Sequence, residues 1–297
     1  MAAQVIDGNA IAENVKNRVK EKISSLGIFP HLVAVQVGEN PASRIYINNQ
    51  KKICEEVGIK YTLRELEENI TEESLIDYIE QLNADSSVNG IILQLPLPKH
   101  LNPKNIQVHI SPEKDVEGVH PINLGRLVYG TYKVAPCTAL AVMEIINSVD
   151  VEIKGKEAVV VGHSEIVGKP IALLLLSSLL ESATVTVCHI ATRDLAFHTR
   201  RAEILIVAVG KAGLIKGDMV KEGAIVIDVG INRVPVVDVN GQPVVDEKTG
   251  KPKMKTVGDV VFDEVVDKAA YITPVPGGVG AVTTAMLVRN VVELMAK

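Results

Sequence analysis

Apolar residues recur along the chain in two alternating patterns, which predict helices and strands in turn. Apolar positions every three or four residues predict a first helix from Asn9 to Leu26. The mostly apolar run Leu32–Val37 predicts a strand. The same rules predict further helices over 43–57, 72–82 and 139–146, and further strands over 59–63 and 90–93. Such alternation is typical of α/β proteins.

A second series of strands and helices begins at Ala158. Its strands are predicted over 158–161, 184–188, 204–207 and 225–228, with a helix over 171–180 and a last helix over 281–295. The strands are nearly continuous apolar runs, which is typical of parallel strands buried on both faces. Asn240-Gly241 between apolar flanks predicts a hairpin over 234–245. The fold class is therefore α/β, and 297 residues suffice for two domains.

Charge and composition exclude several classes of protein. Hydrophobic residues make up 47% and charged residues 23% of the chain, as in soluble globular proteins. The net charge of -5 argues against a nucleic-acid partner, because phosphate binding needs a basic surface. The longest apolar run, Ile171–Leu176, is far shorter than the ~20 residues of a membrane-spanning helix.

The cysteines and histidines predict no metal site. Cys54, Cys137 and Cys188 lack the spacing of a zinc site or of a disulfide framework, so we interpret them as free thiols in a reducing compartment. The histidines are scattered, and none pairs with an acid at ligand spacing. The N-terminus has no secretory h-region, and we expect a cytoplasmic protein without a membrane partner.

A glycine-bearing turn joins the strand 158–161 to the helix that follows. Gly162 permits a tight turn, and Gly168 permits close approach of the backbone at the helix start. The turn departs from a strict GxGxxG pattern because Ser164 stands where the second glycine would be. We predict dinucleotide contacts in this turn and after the neighbouring strands, at Gly162, His163, Ser164, Ile166, Val167, Gly168, His189, Ile190, Ala208, Val209, Gly210, Asp228, Gly230 and Ile231.

Several long segments resemble the methylenetetrahydrofolate dehydrogenase/cyclohydrolase family. They are VGENPASRIYINNQKK (37–52), GIILQLPLP (90–98), KDVEGVHPIN (114–123), VVVGHSEIVGKP (159–170), GAIVIDVGIN (223–232), VGDVVFDEV (257–265) and ITPVPGGVGAVTTAML (272–287). The resemblance implies a catalytic domain over 1–147 that is completed by 276–297, and a Rossmann-like NAD(P) domain over 148–275. It also implies a last helix that returns to the first domain, folate binding in a cleft between the domains, and a homodimer.

The resemblance also assigns roles to individual residues. Tyr46 would stack on the p-aminobenzoate part of the folate, and Gln94 would lie near the reacting carbon. Glu117 replaces the family's aspartate, which binds the N–H donors of the pteridine. We assign the catalytic positions to Tyr46, Gln50, Gln94 and Asp115. Further substrate contacts are expected at Leu95, Pro96, Glu117, Pro276, Gly277 and Gly278.

Position 50 departs from the family's pattern Tyr-x-x-x-Lys. Gln50 stands where the lysine is expected, four residues after Tyr46 and on the same helix face. Hydride transfer needs positioning, whereas ring opening by water needs a titratable group, which an amide is not. We therefore expect a dehydrogenase with weak or absent cyclohydrolase activity. A bifunctional enzyme, a non-catalytic folate- and NAD-binding paralogue, and a dehydrogenase of another small substrate are the alternatives.

The second departure concerns the cofactor. NADP-using members of the family have arginine where His163 stands and serine where Ile190 stands. An arginine fork binds a 2′-phosphate, whereas a largely neutral histidine and an isoleucine do not. The sequence therefore favours NAD, with NADP as the alternative, because Lys169, Arg193 or Arg200 could still reach a phosphate.

Overall fold

The computed structural model describes residues 2–178, 180–238, 242–245 and 250–296. Its helices within these ranges are α1 (Gly8–Leu26), α2 (Pro41–Val57), α3 (Glu72–Ala84), α4 (Pro103–Gln107), α5 (Pro121–Val128), α6 (Cys137–Ser148), α7 (Gly168–Leu175), α8 (Leu195–Thr199), α9 (Phe262–Val265) and α10 (Val279–Met295). Its strands are β1 (Gln4–Val5), β2 (His31–Val37), β3 (Lys60–Leu66), β4 (Gly90–Leu93), β5 (Glu157–Val161), β6 (Thr184–Cys188), β7 (Ile204–Val207), β8 (Ile225–Asp228), β9 (Asn232–Pro235), β10 (Met254–Val257) and β11 (Tyr271–Ile272).

The chain forms two compact units. The first comprises residues 1–9 and 142–281, and the second comprises residues 10–141 and 282–297. Residues 1–9 belong with the later part of the chain because β1 pairs with β11. This grouping differs from the boundaries expected from the sequence, which placed residues 1–9 and 142–147 in the first domain and residues 276–281 with the last helix.

The unit of residues 1–9 and 142–281 is built on a six-stranded sheet in the order β1-β11-β8-β7-β5-β6. Every pairing in this sheet is parallel. The central strands β7 and β8 are buried throughout, as their continuous apolar runs predict. The edge strand β6 is half-exposed. The Rossmann-like architecture that the sequence predicts is confirmed.

The unit of residues 10–141 and 282–297 contains a three-stranded parallel sheet in the order β3-β2-β4. Val33 and Val35 of β2 pack with Leu75 and Ile79 of α3 in a buried core. Most of α10 belongs to this unit, which confirms the expected return of the last helix.

One predicted helix is shorter in the structure, and one predicted hairpin is present. The helix expected over 171–180 ends at Leu175, and the side chain of Ser178 accepts hydrogen bonds from the backbone N–H groups of Leu180 and Glu181. Serine competes in this way with helical hydrogen bonding. The hairpin expected over 234–245 is present: Val237 and Pro243 form an antiparallel bridge, and the N–H of Val244 donates to the carbonyl of Val236 at 2.8 Å. In addition, β9 pairs antiparallel with β10. The Asn240-Gly241 turn lies outside the described residues.

Candidate active site

The amide of Gln50 lies at the centre of a polar cluster in the unit of residues 10–141 and 282–297. α2 places Tyr46 and Gln50 one turn apart, and Gln94 directly follows β4. Oε1 of Gln50 accepts hydrogen bonds from Nε2 of Gln94 at 2.8 Å and from the hydroxyl of Tyr61 at 3.2 Å. The predicted residues Gln50 and Gln94 are thus brought together, whereas Tyr46 is 61% exposed.

Tyr61 is a member of this cluster that the sequence analysis missed. It lies on β3, and burial raises the pKa of its phenol, so the phenol stays protonated at neutral pH and donates to Gln50. Burial also raises the pKa of the nearby Cys54 thiol to about 12. Both groups therefore remain protonated near pH 7.

The turn after β4 is fixed by a second hydrogen bond. The hydroxyl of Ser43, near the start of α2, donates to the carbonyl of Leu95 at 3.1 Å. The side chains of Leu95 and Pro96 are exposed. The bond ties the predicted substrate-contact segment to the helix that holds Gln50.

Asp115 is buried and bonded within its own loop. Only 3% of the residue is exposed. Its carboxylate accepts hydrogen bonds from the backbone N–H groups of Gly118 and His120 and from Nδ2 of Asn123, at 2.8 to 3.0 Å. A carboxylate with these three partners orders its loop and positions its neighbours. The structure shows this ordering role, and the catalytic role expected from the sequence stays a prediction.

Glu117 lies two residues after Asp115 in the same loop. Burial, followed by the charge of Asp115, raises the pKa of its carboxyl to about 8. The preceding residue is held by Asn290 of α10, whose Nδ2 donates to the carbonyls of Val116 at 2.9 Å and Ala135 at 3.0 Å. Asn290 is fully buried, and no local sequence pattern indicates its role, because its partners are 155 and 174 residues away.

The glycine turn of the other unit is closely packed, as the sequence predicts. A Cβ atom on Gly162 would lie 2.2 Å from the carbonyl oxygen of Ala208. A Cβ atom on Gly168 would lie 2.1 Å from the carbonyl oxygen of Gly162. Gly162 also has a φ of 120°, which favours glycine. Only glycine fits at either position, and α7 begins directly at the turn, where the N–H of Lys169 donates to the carbonyl of Ser164 and Pro170 has no N–H.

The remaining residues of the turn are open to solvent. His163, Ser164 and Ile166 are exposed, whereas Val167 is half-buried. The ring of His163 packs edge-on against that of His189, with centroids 5.0 Å apart. The side chain of Ile190 is fully exposed. The turn and the end of β6 therefore present two imidazoles and an isoleucine, the side chains on which the expected preference for NAD rests.

A buried carboxylate orders the end of β8. Asp228 accepts hydrogen bonds from the N–H groups of Gly230, Asp259 and Val260 at 2.9 to 3.0 Å. Burial raises the pKa of Asp228 to about 6, and the charge of Asp259 acts in the same direction. Asp228 is 3% exposed, so in this structure it shapes the strand end, and the cofactor contact expected from the sequence stays a prediction.

A pocket of about 180 Å³ adjoins this strand end. It is lined by 228–231, Thr256 and 274–281. The predicted substrate residues Pro276, Gly277 and Gly278 thus share one pocket with the predicted cofactor residues Gly230 and Ile231.

Comparisons with known proteins match both units. The family model "Tetrahydrofolate dehydrogenase/cyclohydrolase, catalytic domain" matches residues 6–117, and that of the NAD(P)-binding domain of the same family matches residues 136–297. The chain belongs to the tetrahydrofolate dehydrogenase/cyclohydrolase family. Its resemblance to this family is therefore confirmed.

Individual members of the family align over nearly the whole chain. The bifunctional protein FolD of Moorella thermoacetica is 49% identical over 296 residues, which is 99% of each chain. The crystal structure of bifunctional FolD from Campylobacter jejuni is 45% identical, with a TM-score of 0.87 over 99% of this chain and 98% of the other. The Trypanosoma brucei enzyme, solved with NADP and an inhibitor, is 38% identical, with a TM-score of 0.87 over 99% and 97% of the chains.

Family membership assigns a role to each compact unit. The unit of residues 10–141 and 282–297 contains most of the catalytic-domain match, and the unit of residues 1–9 and 142–281 contains most of the NAD(P)-binding match. Among the described residues, no group of three or more His, Cys, Asp or Glu side chains is arranged to hold a metal ion. Each helix in the described ranges is too short or too polar to cross a membrane.

Proposed function

We propose that this chain transfers a hydride from 5,10-methylenetetrahydrofolate to a nicotinamide dinucleotide and so forms 5,10-methenyltetrahydrofolate. The observation that supports this most is the pair of amides, Gln50 and Gln94, joined at 2.8 Å in the catalytic domain of this family. The reacting carbon lies between two nitrogens, so its cation is stabilised by resonance and no proton needs to move. Such a step depends on positioning, and the bound nicotinamide accepts the hydride.

The chain also hydrolyses the methenyl product to 10-formyltetrahydrofolate, at a lower rate than it forms that product. The names of the relatives favour this second activity over its complete loss. Adding water and opening the ring require proton transfers. The Gln50 amide does not titrate, and the raised pKa of Tyr61 keeps that phenol protonated, so this step lacks acid–base help at position 50. The second candidate function, favoured by Gln50, is a dehydrogenase without cyclohydrolase activity.

Each predicted substrate residue makes a different contact with the folate. The exposed ring of Tyr46 offers a flat apolar surface for the p-aminobenzoate group. Gln50 donates through Nε2, because its Oε1 already accepts two hydrogen bonds. Glu117, once ionised, accepts from the pteridine N–H donors, and Leu95 and Pro96 border the folate. Pro276, Gly277 and Gly278 allow close approach of the backbone to a ligand.

NAD is preferred to NADP. His163 and Ile190 offer no permanent positive charge to a 2′-phosphate. Of the nearby cations, Lys169 lies 3.6 Å from the carboxylate of Glu165, and Arg200 donates to the carbonyl of Asp218 at 2.9 Å. The NADP found in the Trypanosoma brucei structure belongs to that protein and keeps NADP as the alternative.

Paired assays with both dinucleotides test these proposals. Purified protein receives 5,10-methylenetetrahydrofolate with NAD or with NADP, and supplied methenyltetrahydrofolate in a separate assay that is corrected for spontaneous hydrolysis. We expect reduction of NAD with the higher kcat/KM, and hydrolysis that is slower than dehydrogenation. Failure to reduce either dinucleotide would contradict the dehydrogenase proposal and favour a non-catalytic paralogue. Hydrolysis as fast as dehydrogenation would contradict the role given to Gln50.

Assembly and location follow as part of the same proposal. A homodimer is implied by the resemblance, and light scattering of the purified protein would measure it. A cytoplasmic location is supported by the free thiols of Cys54, Cys137 and Cys188, which suit a reducing compartment. Cell fractionation would test the location.

A further inference from the structure

The turn that follows β7 is held in place by one buried carboxylate. Oδ2 of Asp259 accepts hydrogen bonds from the backbone N–H groups of Val209 at 2.7 Å and Gly210 at 2.9 Å. Its other oxygen, Oδ1, accepts from Nδ2 of Asn232 at 2.8 Å. Asp259 is fully buried, so no solvent competes for these bonds.

Asp259 is also bonded to, and packed against, the end of β8. The N–H group of Asp259 donates to Oδ1 of Asp228 at 3.0 Å. A Cβ atom on Gly230 would lie 2.3 Å from Cγ of Asp259, and a Cβ atom on Gly258 would lie 1.8 Å from Oδ2 of Asp228. The Asp259 carboxylate therefore packs on Gly230, close to Asp228, and the Asp228 carboxylate packs on Gly258, next to Asp259. Neither carboxylate can shift without moving the ends of both β7 and β8.

The turn that Asp259 holds is packed against the glycine turn. Ala208 directly precedes Val209. Its carbonyl oxygen lies so close to Gly162 that a Cβ atom on this glycine would be 2.2 Å away. β5, β7 and β8 are adjacent parallel strands, so their carboxyl ends lie at one edge of the sheet. Ligands of open α/β sheets bind at that edge.

We propose that Asp259 is a positioning residue for the nicotinamide dinucleotide, which acts by fixing the Val209–Gly210 backbone beside the glycine turn. The inference rests on the proposed function, because it assumes that a dinucleotide binds at this edge. Asp259 itself touches no ligand. Its carboxylate supplies an acceptor for two backbone donors that would otherwise be left unpaired or would turn toward the ligand.

A donor–acceptor exchange tests the proposal. In Asp259→Asn, the amide oxygen can still accept from Val209 and Gly210, but its NH₂ group then faces the NH₂ group of Asn232. Rotation of the Asn232 amide would relieve this contact only by breaking its second bond, to the carbonyl of Val257 at 3.5 Å. In Asn232→Asp, two carboxylates face each other. The double variant Asp259→Asn/Asn232→Asp restores a donor opposite an acceptor and keeps the total charge. Asp267→Asn, an exposed position beyond α9, is the matched control.

The readouts separate cofactor positioning from general damage. NADH binding is measured by fluorescence titration without folate, and KM for the dinucleotide and for the folate are measured separately. We expect each single variant to weaken NADH binding and to raise the dinucleotide KM by roughly tenfold to a hundredfold, in line with loss of a charge-assisted hydrogen bond. The folate KM should change little, the double variant should recover most of the loss, and Asp267→Asn should match the wild type.

Three results would overturn the inference. They are an unchanged dinucleotide affinity in Asp259→Asn, a double variant no better than the worse single variant, and an equal rise of both KM values. A wild-type protein that binds neither NADH nor NADPH would reject the cofactor part of the proposed function, and this inference with it. A wild type that binds NADH but does not oxidise the folate would reject only the substrate assignment, because the titration contains no folate.

Discussion

Tyr61 donates its hydroxyl hydrogen to Oε1 of Gln50 across 3.2 Å, from β3 to α2. A lysine at position 50 would reverse this bond, because an ammonium donates and a phenol oxygen can accept. Gln94, whose Nε2 donates to the same Gln50 oxygen, can present its own oxygen by rotating its amide. The cluster can therefore offer two oxygen acceptors to the lysine that the family's pattern expects at this position.

Gln50→Lys should raise the rate of methenyltetrahydrofolate hydrolysis. General acid–base help is worth roughly 100- to 10,000-fold, and an amine in a partly buried position can supply it. Dehydrogenase kcat/KM should change far less, because hydride transfer moves no proton. Both rates are measured on the same preparation. Lys51→Gln is the control, because Lys51 is exposed and pairs with Glu55 at 3.9 Å. Equal gains in both activities would contradict the division of labour.

Glu117→Gln should change the dependence of stability on pH. Below about pH 4.5 the carboxyl is neutral in both the folded and the unfolded state. The folded protein then keeps its proton up to about pH 8, whereas the unfolded chain releases it, so stability falls as pH rises through this interval. We expect Glu117→Gln to have the higher Tm at pH 9 and a similar Tm at pH 4, by calorimetry. Glu67→Gln, at an exposed loop position, should show no such crossover.

The buried strands are the elements that the sequence predicts best. β7 and β8 have the predicted bounds, because a short apolar run between polar turns specifies both the strand and its burial. The two-residue strands β1 and β11 were missed, since their pairing joins Gln4 to Tyr271 and no local pattern records it. α5 was also missed. Its N-cap is His120, whose Nδ1 accepts from the N–H of Ile122, and histidine is not a usual capping residue.

Site residues with a local structural reason could be predicted from the sequence, whereas those with distant partners could not. The close packing of Gly162 and Gly168 was predictable, because glycine in a strand–helix turn has a local reason. The burial of Asp115 was not, since a loop acid that binds a ligand and one that binds its own loop have the same sequence. Asp259 and Asn290 were missed because the backbone groups that their side chains bind are 49 or more residues away in sequence.

Gly168→Ala should weaken dinucleotide binding. The new methyl group would lie 2.1 Å from the carbonyl oxygen of Gly162, so the turn must open and move the N-terminus of α7. We expect a loss of at least about tenfold in NADH affinity by fluorescence titration, because the backbone of the turn would be displaced from the dinucleotide. Gly125→Ala in α5 is the matched control, because a methyl group there would meet nothing within 4 Å. Unchanged affinity in Gly168→Ala would argue that the turn does not bind the dinucleotide.

The double variant His163→Arg/Ile190→Ser should improve the use of NADP. The rings of His163 and His189 lie 5.0 Å apart, and Ile190 is fully exposed, so an arginine fork and a hydroxyl have room there. A charge-assisted pair with a phosphate should raise kcat/KM for NADP by roughly tenfold or more, with a smaller change for NAD. The ratio of the two kcat/KM values is the measurement. A wild type that already prefers NADP would contradict the cofactor assignment.

Asn290→Leu should destabilise the protein and impair folate use. The leucine fills a similar volume but leaves the carbonyl of Ala135 without its Asn290 donor and weakens the bonding of the Val116 carbonyl, whose remaining partner is the Cys137 thiol at 3.5 Å. One buried acceptor without its donor and a second with a weaker bond together cost about 1–3 kcal/mol in the free energy of unfolding. Urea denaturation measures this cost, and Asn14→Leu at an exposed position of α1 is the control. Because Val116 directly precedes Glu117, the folate KM should rise more than the dinucleotide KM. Equal stability of the two variants would show that Asn290 does not hold this loop.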